Sequence, residues 1–185
     1  MLAVVLAGSA ILLGRSLLRR ERFRERQLAR GNWQLVEALA QDLRDPSGTR
    51  AKQAAEDLVH LARGEAGLKL ERVRLREVLQ DSLRRVSPAL EQAGYELRVH
   101  EGGDPYVAAE AASLGHALDN LLRAEGERRA IQIQLRSERT TAEVAVSGGC
   151  RDERALAVAK RIALNHQGEF RDADGAITIR LPLVN

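Results

Sequence analysis

Only one cysteine, Cys150, occurs in the 185 residues, so an intrachain disulfide is excluded, and no cluster of histidines or further thiols surrounds it to hold zinc. A lone thiol also fits a reducing compartment. Aromatic residues make up 3% of the chain, which argues against a ring-lined ligand pocket and leaves Leu, Val, Ile and Ala to build the core. There are four prolines, and none between Leu17 and Leu43, so nothing breaks a helix there. Internal repeats and low-complexity tracts are missing as well. Hydrophobic residues reach 44%, enough for one packed domain plus a smaller appendage at this length.

The net charge of +3 is distributed unevenly. Arg15, Arg19, Arg20, Arg22, Arg24, Arg26 and Arg30 follow directly on an apolar run, Met1 to Leu13, which extends to Leu18 if Arg15 snorkels. A bilayer crossing takes about 20 residues, with a lower limit of roughly 17. A cleaved signal would place its positive charges before the apolar run, and the order here is the reverse. The expectation is a single-pass anchor over 1–18, with no external sensor before it. Positive charges on its C-terminal flank put the bulk of the chain in the cytoplasm, at a bacterial inner membrane. Two other readings of the arginines are a solvated helical face and a nucleic-acid arm. Such an arm would want stacking residues, and only Phe23 and Trp33 are nearby.

Leu28, Leu35, Leu39 and Leu43 lie at helical spacing. "DPSGT" ends that helix, and a second, "RAKQAAEDLVHLARGEAG", presents Ala51, Ala55, Leu58 and Leu61 or Ala62 on one face before stopping at Gly67. Two such helices make a hairpin, and a narrow apolar stripe predicts pairing with another copy into a four-helix bundle. Beyond Gly67 the periods mix. "LKLERVRL" and "YELRVH" alternate as strands. A helix over "REVLQDSLRRVSPALEQAG" repeats Val78, Leu79, Leu83, Val86 and Leu90. "EGGDP" reads as a turn, followed by the helix "AAEAASLGHALDNLLRAE". The strands "AIQIQLR" and "TTAEVAVS", the helix "ERALAVAKRIALNH" and a hairpin turning at Asp174 and Gly175 complete the chain. The fold class is α+β: a sheet with helices packed on one face.

This order of elements resembles the cytoplasmic half of a bacterial sensor histidine kinase from Leu17 to the C-terminus. "EDLVHLARGEAGLKLERVRLREVL" looks like the family's second hairpin helix and its link to the ATPase-type domain. "LGHALDNLLRAE" is similar to the helix bearing its asparagine box, and "LAVAKRIALNHQGEF" with "GAITIRLPL" to its last helix and closing hairpin. The resemblance implies three parts: a membrane anchor over 1–18, a juxtamembrane helix and dimerisation hairpin over 19–67, and an ATPase-type α/β sandwich over 68–185. It also supplies positions to check. "QDLRDP" resembles the phosphoacceptor turn, with Gln41 where the family has histidine; an amide nitrogen is not nucleophilic, so Gln41 cannot take a phosphoryl group. Asn120 matches the earlier asparagine of the asparagine box, but Ala124 stands at the magnesium ligand and offers no oxygen. Gly148 stands at the adenine-reading aspartate, followed by Gly149 and Cys150. Glu153 and Ala155 replace glycines of the phosphate-cradling box, and Glu153 would repel a triphosphate by about 1 to 4 kcal/mol. Cys150 and Glu153 are too close in sequence for an ATP lid.

The apolar pattern of Leu114, Leu118, Val144, Val146, Ile162, Ile177 and Ile179 is intact while ligand positions are not. The expectation is a folded pseudokinase of two-component signalling that binds neither ATP nor magnesium. It would act by association through residues 33–66, with Arg44 and Asp45 near the contact. Partners would be a second copy, an active histidine kinase, a response regulator or membrane lipid, and not nucleic acid. One alternative is a histidine phosphotransferase using His60, although His60 reads first as an ordinary surface histidine. Another is a membrane-tethered basic protein binding anionic lipid or nucleic acid through Arg15 to Arg30, and a third is a remnant kinase without function. His100, His116 and His166 have no acidic or cysteine partner at ligand spacing, so no metal site is expected. His166 reads as a helix-end dipole contact and Cys150 as a passive loop thiol.

Overall fold

The computed structural model describes residues 34–43, 48–123 and 130–184. The expected anchor over 1–18, the arginine run, Arg44, Asp45 and Ala124 lie outside them. Among the described residues, no helix is long and apolar enough to cross a membrane.

Helix α1 covers 34–42 and α2 covers Thr49–Ala66. Then come β1 (Glu71–Arg74), α3 (Leu75–Gln92), β2 (Glu96–Gly102), β3 (Tyr106–Ala109), α4 (Ala111–Leu122), β4 (Ala130–Ser137), β5 (Thr141–Ser147), α5 (Glu153–Asn165), β6 (Glu169–Ala173) and β7 (Ala176–Pro182). The main sheet runs β2-β4-β5-β7-β6, with β2 parallel to β4 and the remaining pairs antiparallel. A two-stranded antiparallel ribbon, β1 with β3, sits beside it.

The period-2 pattern decides which side of the sheet is covered. Ile131, Ile133 and Leu135 on β4, Ala142, Val144 and Val146 on β5, and Ile177, Ile179 and Leu181 on β7 are all buried on the helical side. Leu75, Val78 and Leu79 of α3, Leu114, Leu118, Leu121 and Leu122 of α4, and Val158, Ala159 and Ile162 of α5 pack onto them in one core. The other face is polar, with a cross-strand Arg180–Glu143 bridge of 2.8 Å at paired positions. The β6–β7 hairpin turns at Asp174 and Gly175, both at positive φ (53° and 77°), as a two-residue turn of this hand requires.

Two expectations need correction. The sequence pattern starts a helix at Ala108 and gives no strand between it and the turn at 101–105. Tyr106 and Val107 instead pair with Arg74 and Val73 of β1, and the helix starts only after Glu110, whose side chain accepts the Ser113 N–H as an N-cap. The inward face of α2 is also displaced. Ala54, Asp57 and Leu61 are buried, while Ala55 and Ala62 are exposed. The helix is turned so that this face packs on α4 and α5 of the same chain.

Candidate functional site

The side of α4 turned away from the sheet is polar. Ser113, His116 and Asn120 lie at helical spacing, and Gln53, Asp57 and His60 form a matching stripe on α2. The stripes interlock. Asp57 Oδ1 accepts from His116 Nε2 (2.6 Å), from Asn120 Nδ2 (3.2 Å) and from Gln53 Nε2 (3.2 Å), and Gln53 also donates to Asn120 Oδ1 (3.3 Å). Asp57 is 3% exposed and Asn120 0% exposed, so this carboxylate is removed from water and held by three donors. Burial pushes the Asp57 carboxyl up, but the hydrogen bonds from His116 and Asn120 outweigh it and the net shift is downward.

One turn further along α2, His60 stacks on His116, with ring centroids 4.2 Å apart and an interplanar angle of 20°. Its Nδ1 lies 3.1 Å from Ser113 Oγ. Burial first, then the neighbouring His116 and Arg63, lower the His60 imidazole to about 4. It is therefore neutral at physiological pH and half-buried, rather than standing on an open surface as expected. The two imidazoles border a groove of about 340 Å³ that is also lined by Val78, Arg85, Gly115 and Asp119. Arg85 forks onto both Asp119 oxygens (2.9 and 3.1 Å), and Ser82 Oγ bonds the same carboxylate. Gly115 leaves room for that fork, because a β-carbon there would meet Arg85 Nη2 at 2.9 Å.

The network continues to α5. Buried His166 donates from Nδ1 to Ile162 O (2.8 Å) and accepts the Glu110 N–H on Nε2 (3.1 Å), tying the end of α5 to the start of α4. This role is more specific than a dipole contact. His116 likewise has the acidic partner that local sequence did not show, because Asp57 lies 59 residues away. Matching polar stripes at helical spacing were the available signal. His100 is exposed on β2. Among the described residues, no group of three or more His, Cys, Asp or Glu side chains could hold a metal ion.

The positions compared with a nucleotide site gather at the ends of α4 and α5. Gly148 has φ 76°, and a β-carbon there would lie 2.2 Å from Ala130 O; one on Gly149 would lie 2.2 Å from Leu121 O. The Cys150 N–H donates to Leu121 O (3.0 Å), which closes this loop onto the end of α4, and Cys150 is 0% exposed. At the α5 start, Asp152 caps the Arg154 N–H (2.8 Å), Glu153 is exposed and Ala155 is buried. Asp42, from the end of α1, pairs with Arg154. The start of α5 thus carries both signs of charge, Asp152 and Glu153 beside Arg151 and Arg154, and each arginine pairs with a carboxylate, Asp172 and Asp42. Gln41 is exposed near the end of α1. On this backbone a β-carbon at 148 would clash with Ala130 O, Asn120 bonds Asp57 and Gln53, and the Asp152 side chain caps the start of α5.

No family model and no curated protein sequence matches the chain. Solved structures do. A histidine kinase from Burkholderia phymatum STM815 superposes with a TM-score of 0.57 at 19% identity, over 87% of this chain and 98% of that one. Acinetobacter baumannii histidine kinase AdeS gives 0.55 at 14%, over 82% and 95%. The catalytic domain of histidine kinase ThkA, nucleotide free, gives 0.51 at 15%, over 63% and 97%. At these identities the likeness is one of architecture, and with the strand order and helical layer described above it makes this chain a carrier of the histidine-kinase-like ATPase fold.

Proposed function

We propose that this protein is a non-catalytic, histidine-kinase-like component of two-component signal transduction that acts by association rather than by phosphoryl transfer. The observation that carries this reading is the occupation of the polar face of α4 by α2. Asn120 lies at 0% exposure under Gln53 and Asp57, and the 148–150 loop closes on Leu121. Gln41, lacking a nucleophilic nitrogen, supports it from the hairpin side. In this reading residues 1–18 anchor the chain to the inner membrane, 19–67 form the hairpin, and 68–185 form the ATPase-type domain. Association runs through the hairpin, near Arg44 and Asp45, to a second copy, a histidine kinase or a response regulator. The phosphotransferase alternative needs His60 to meet a partner's active site, and stacking on His116 with a bond to Ser113 counts against it.

A thermal melt of the full chain with and without magnesium–ATP tests this. A ligand at a hundredfold excess over its Kd adds about 2.7 kcal/mol. The expected outcome is a cooperative melt that nucleotide leaves unchanged; a magnesium-dependent rise would overturn the proposal.

A further inference from the structure

The stacked imidazoles are the one place among the described residues where two titratable rings share an interface between helices. His60 belongs to α2 and His116 to α4, so the stack itself bridges the hairpin and the ATPase-type domain. What surrounds His60 determines what a proton on it would meet. On α2, Asp57 is engaged by His116, Asn120 and Gln53, while Arg63 adds positive charge. On α4, Glu110 is held by the Ser113 N–H (2.9 Å), and Asp119 is neutralised by the Arg85 fork from α3. Asp81 of α3 pairs with Arg84, and His166 at the end of α5 is committed to Ile162 O and the Glu110 N–H.

Burial, His116 and Arg63 disfavour a charged His60 and outweigh Glu110 and Asp57, which favour it. The adjoining groove of about 340 Å³ gives water and protons a route to the rings. A positive charge on His60 would sit half-buried against the His116 ring, 4.2 Å away, with Arg63 nearby.

We propose that the His60–His116 stack is a proton-operated latch: at neutral pH it holds α2 on α4, and acidification releases α2 while the sheet and α3–α5 stay folded. Release uncovers the Ser113–His116–Asn120 face of α4. The inference concerns docking of the hairpin alone and does not depend on nucleotide binding.

Amide hydrogen exchange on the full chain at about pH 7.5 and about pH 5, corrected for intrinsic rates, tests it. Linkage of a His60 that is released on protonation predicts a fall in α2 protection of roughly tenfold after solvent screening, with β4, β5 and β7 keeping theirs. His60→Gln retains an amide able to bond Ser113 and cannot titrate, so its α2 protection should not change with pH. Unchanged α2 protection in the wild type, loss of α2 and sheet protection together, or a His60→Gln chain responding like the wild type would each overturn the latch. If His60→Gln fails to fold, an imidazole NMR titration of the wild type replaces it. A His60 titration below the ordinary 6.5, with the α2 amide signals shifting over the same range while those of β4, β5 and β7 stay, is expected; a titration at 6.5 or unmoved α2 signals would refute the proposal.

Discussion

Helix α4 has two sides that are held by different forces. Toward the sheet it presents Leu114, Leu118, Leu121 and Leu122, all at 0% exposure, packed on strands whose inward residues are aliphatic. Toward α2 it presents Ser113, His116 and Asn120, joined to Asp57 and His60 by directed hydrogen bonds and one ring stack. The apolar side tolerates a change of pH and is sensitive to lost volume. The polar side tolerates small changes of volume and is sensitive to a lost partner or an added proton. The two sides of α4 should therefore respond to different perturbations, volume on one and protons or lost partners on the other.

The comparison can be broken first from the apolar side. Leu118→Ala should cost about 3 to 5 kcal/mol, because Leu118 is fully buried between helix and sheet. Urea unfolding should show one cooperative transition at a lower midpoint, with little difference between pH 7 and pH 5 in the size of the loss. From the polar side, Asp57→Ala strands the donors of His116, Asn120 and Gln53, and should cost about 2 to 4 kcal/mol. Its distinguishing mark is location: exchange should rise in α2 well before β4 and β5, and Asp57→Asn should recover part of the loss. Equal exposure of α2 and the sheet in Asp57→Ala would erase the distinction between the two sides.

Acid supplies the smallest effect and the sharpest test. His60 is lowered from 6.5 to about 4 in the folded chain, so the unfolded chain binds more protons between those values. Stability is therefore fully present above about pH 6.5 and falls as pH drops toward 4. The full linkage would be about 3 kcal/mol, and because His60 is only half-buried, screening reduces it to about 1 to 2 kcal/mol. Asp57 is shifted downward, so its contribution persists through this window and is lost only below the ordinary carboxylate value of 3.8. Urea midpoints measured across the range should show a first decline attributable to His60 and a separate, lower one. A flat profile from pH 7 to 4.5 would mean that His60 is not lowered in the folded chain.

Much of the fold was legible because it rests on periodicity. Alternation in β4, β5 and β7 and the apolar stripes of α3, α4 and α5 mark the same residues that form the core, since burial on a sheet or helix face leaves a repeating trace in the chain. β3 was missed because four residues, Tyr106 to Ala109, are too few to show a period and become a strand only by pairing with β1. The inward face of α2 was misplaced by about one position for a different reason. A rule that seeks apolar residues for the buried side cannot select Asp57, whose burial depends on donors from α4.

The candidate site divides the same way. That Gln41 lacks a nucleophilic nitrogen, that Gly148 has no carboxylate and that Glu153 adds negative charge follow from side-chain chemistry and are readable without any fold. The spacing of the aliphatic residues likewise sets the layered α+β architecture. That α2 covers α4, that His60 meets His116 and that a β-carbon at 148 or 149 would strike backbone carbonyls came from packing. Each of these is a distance between groups remote in the chain, and such distances are set by packing rather than by local preference.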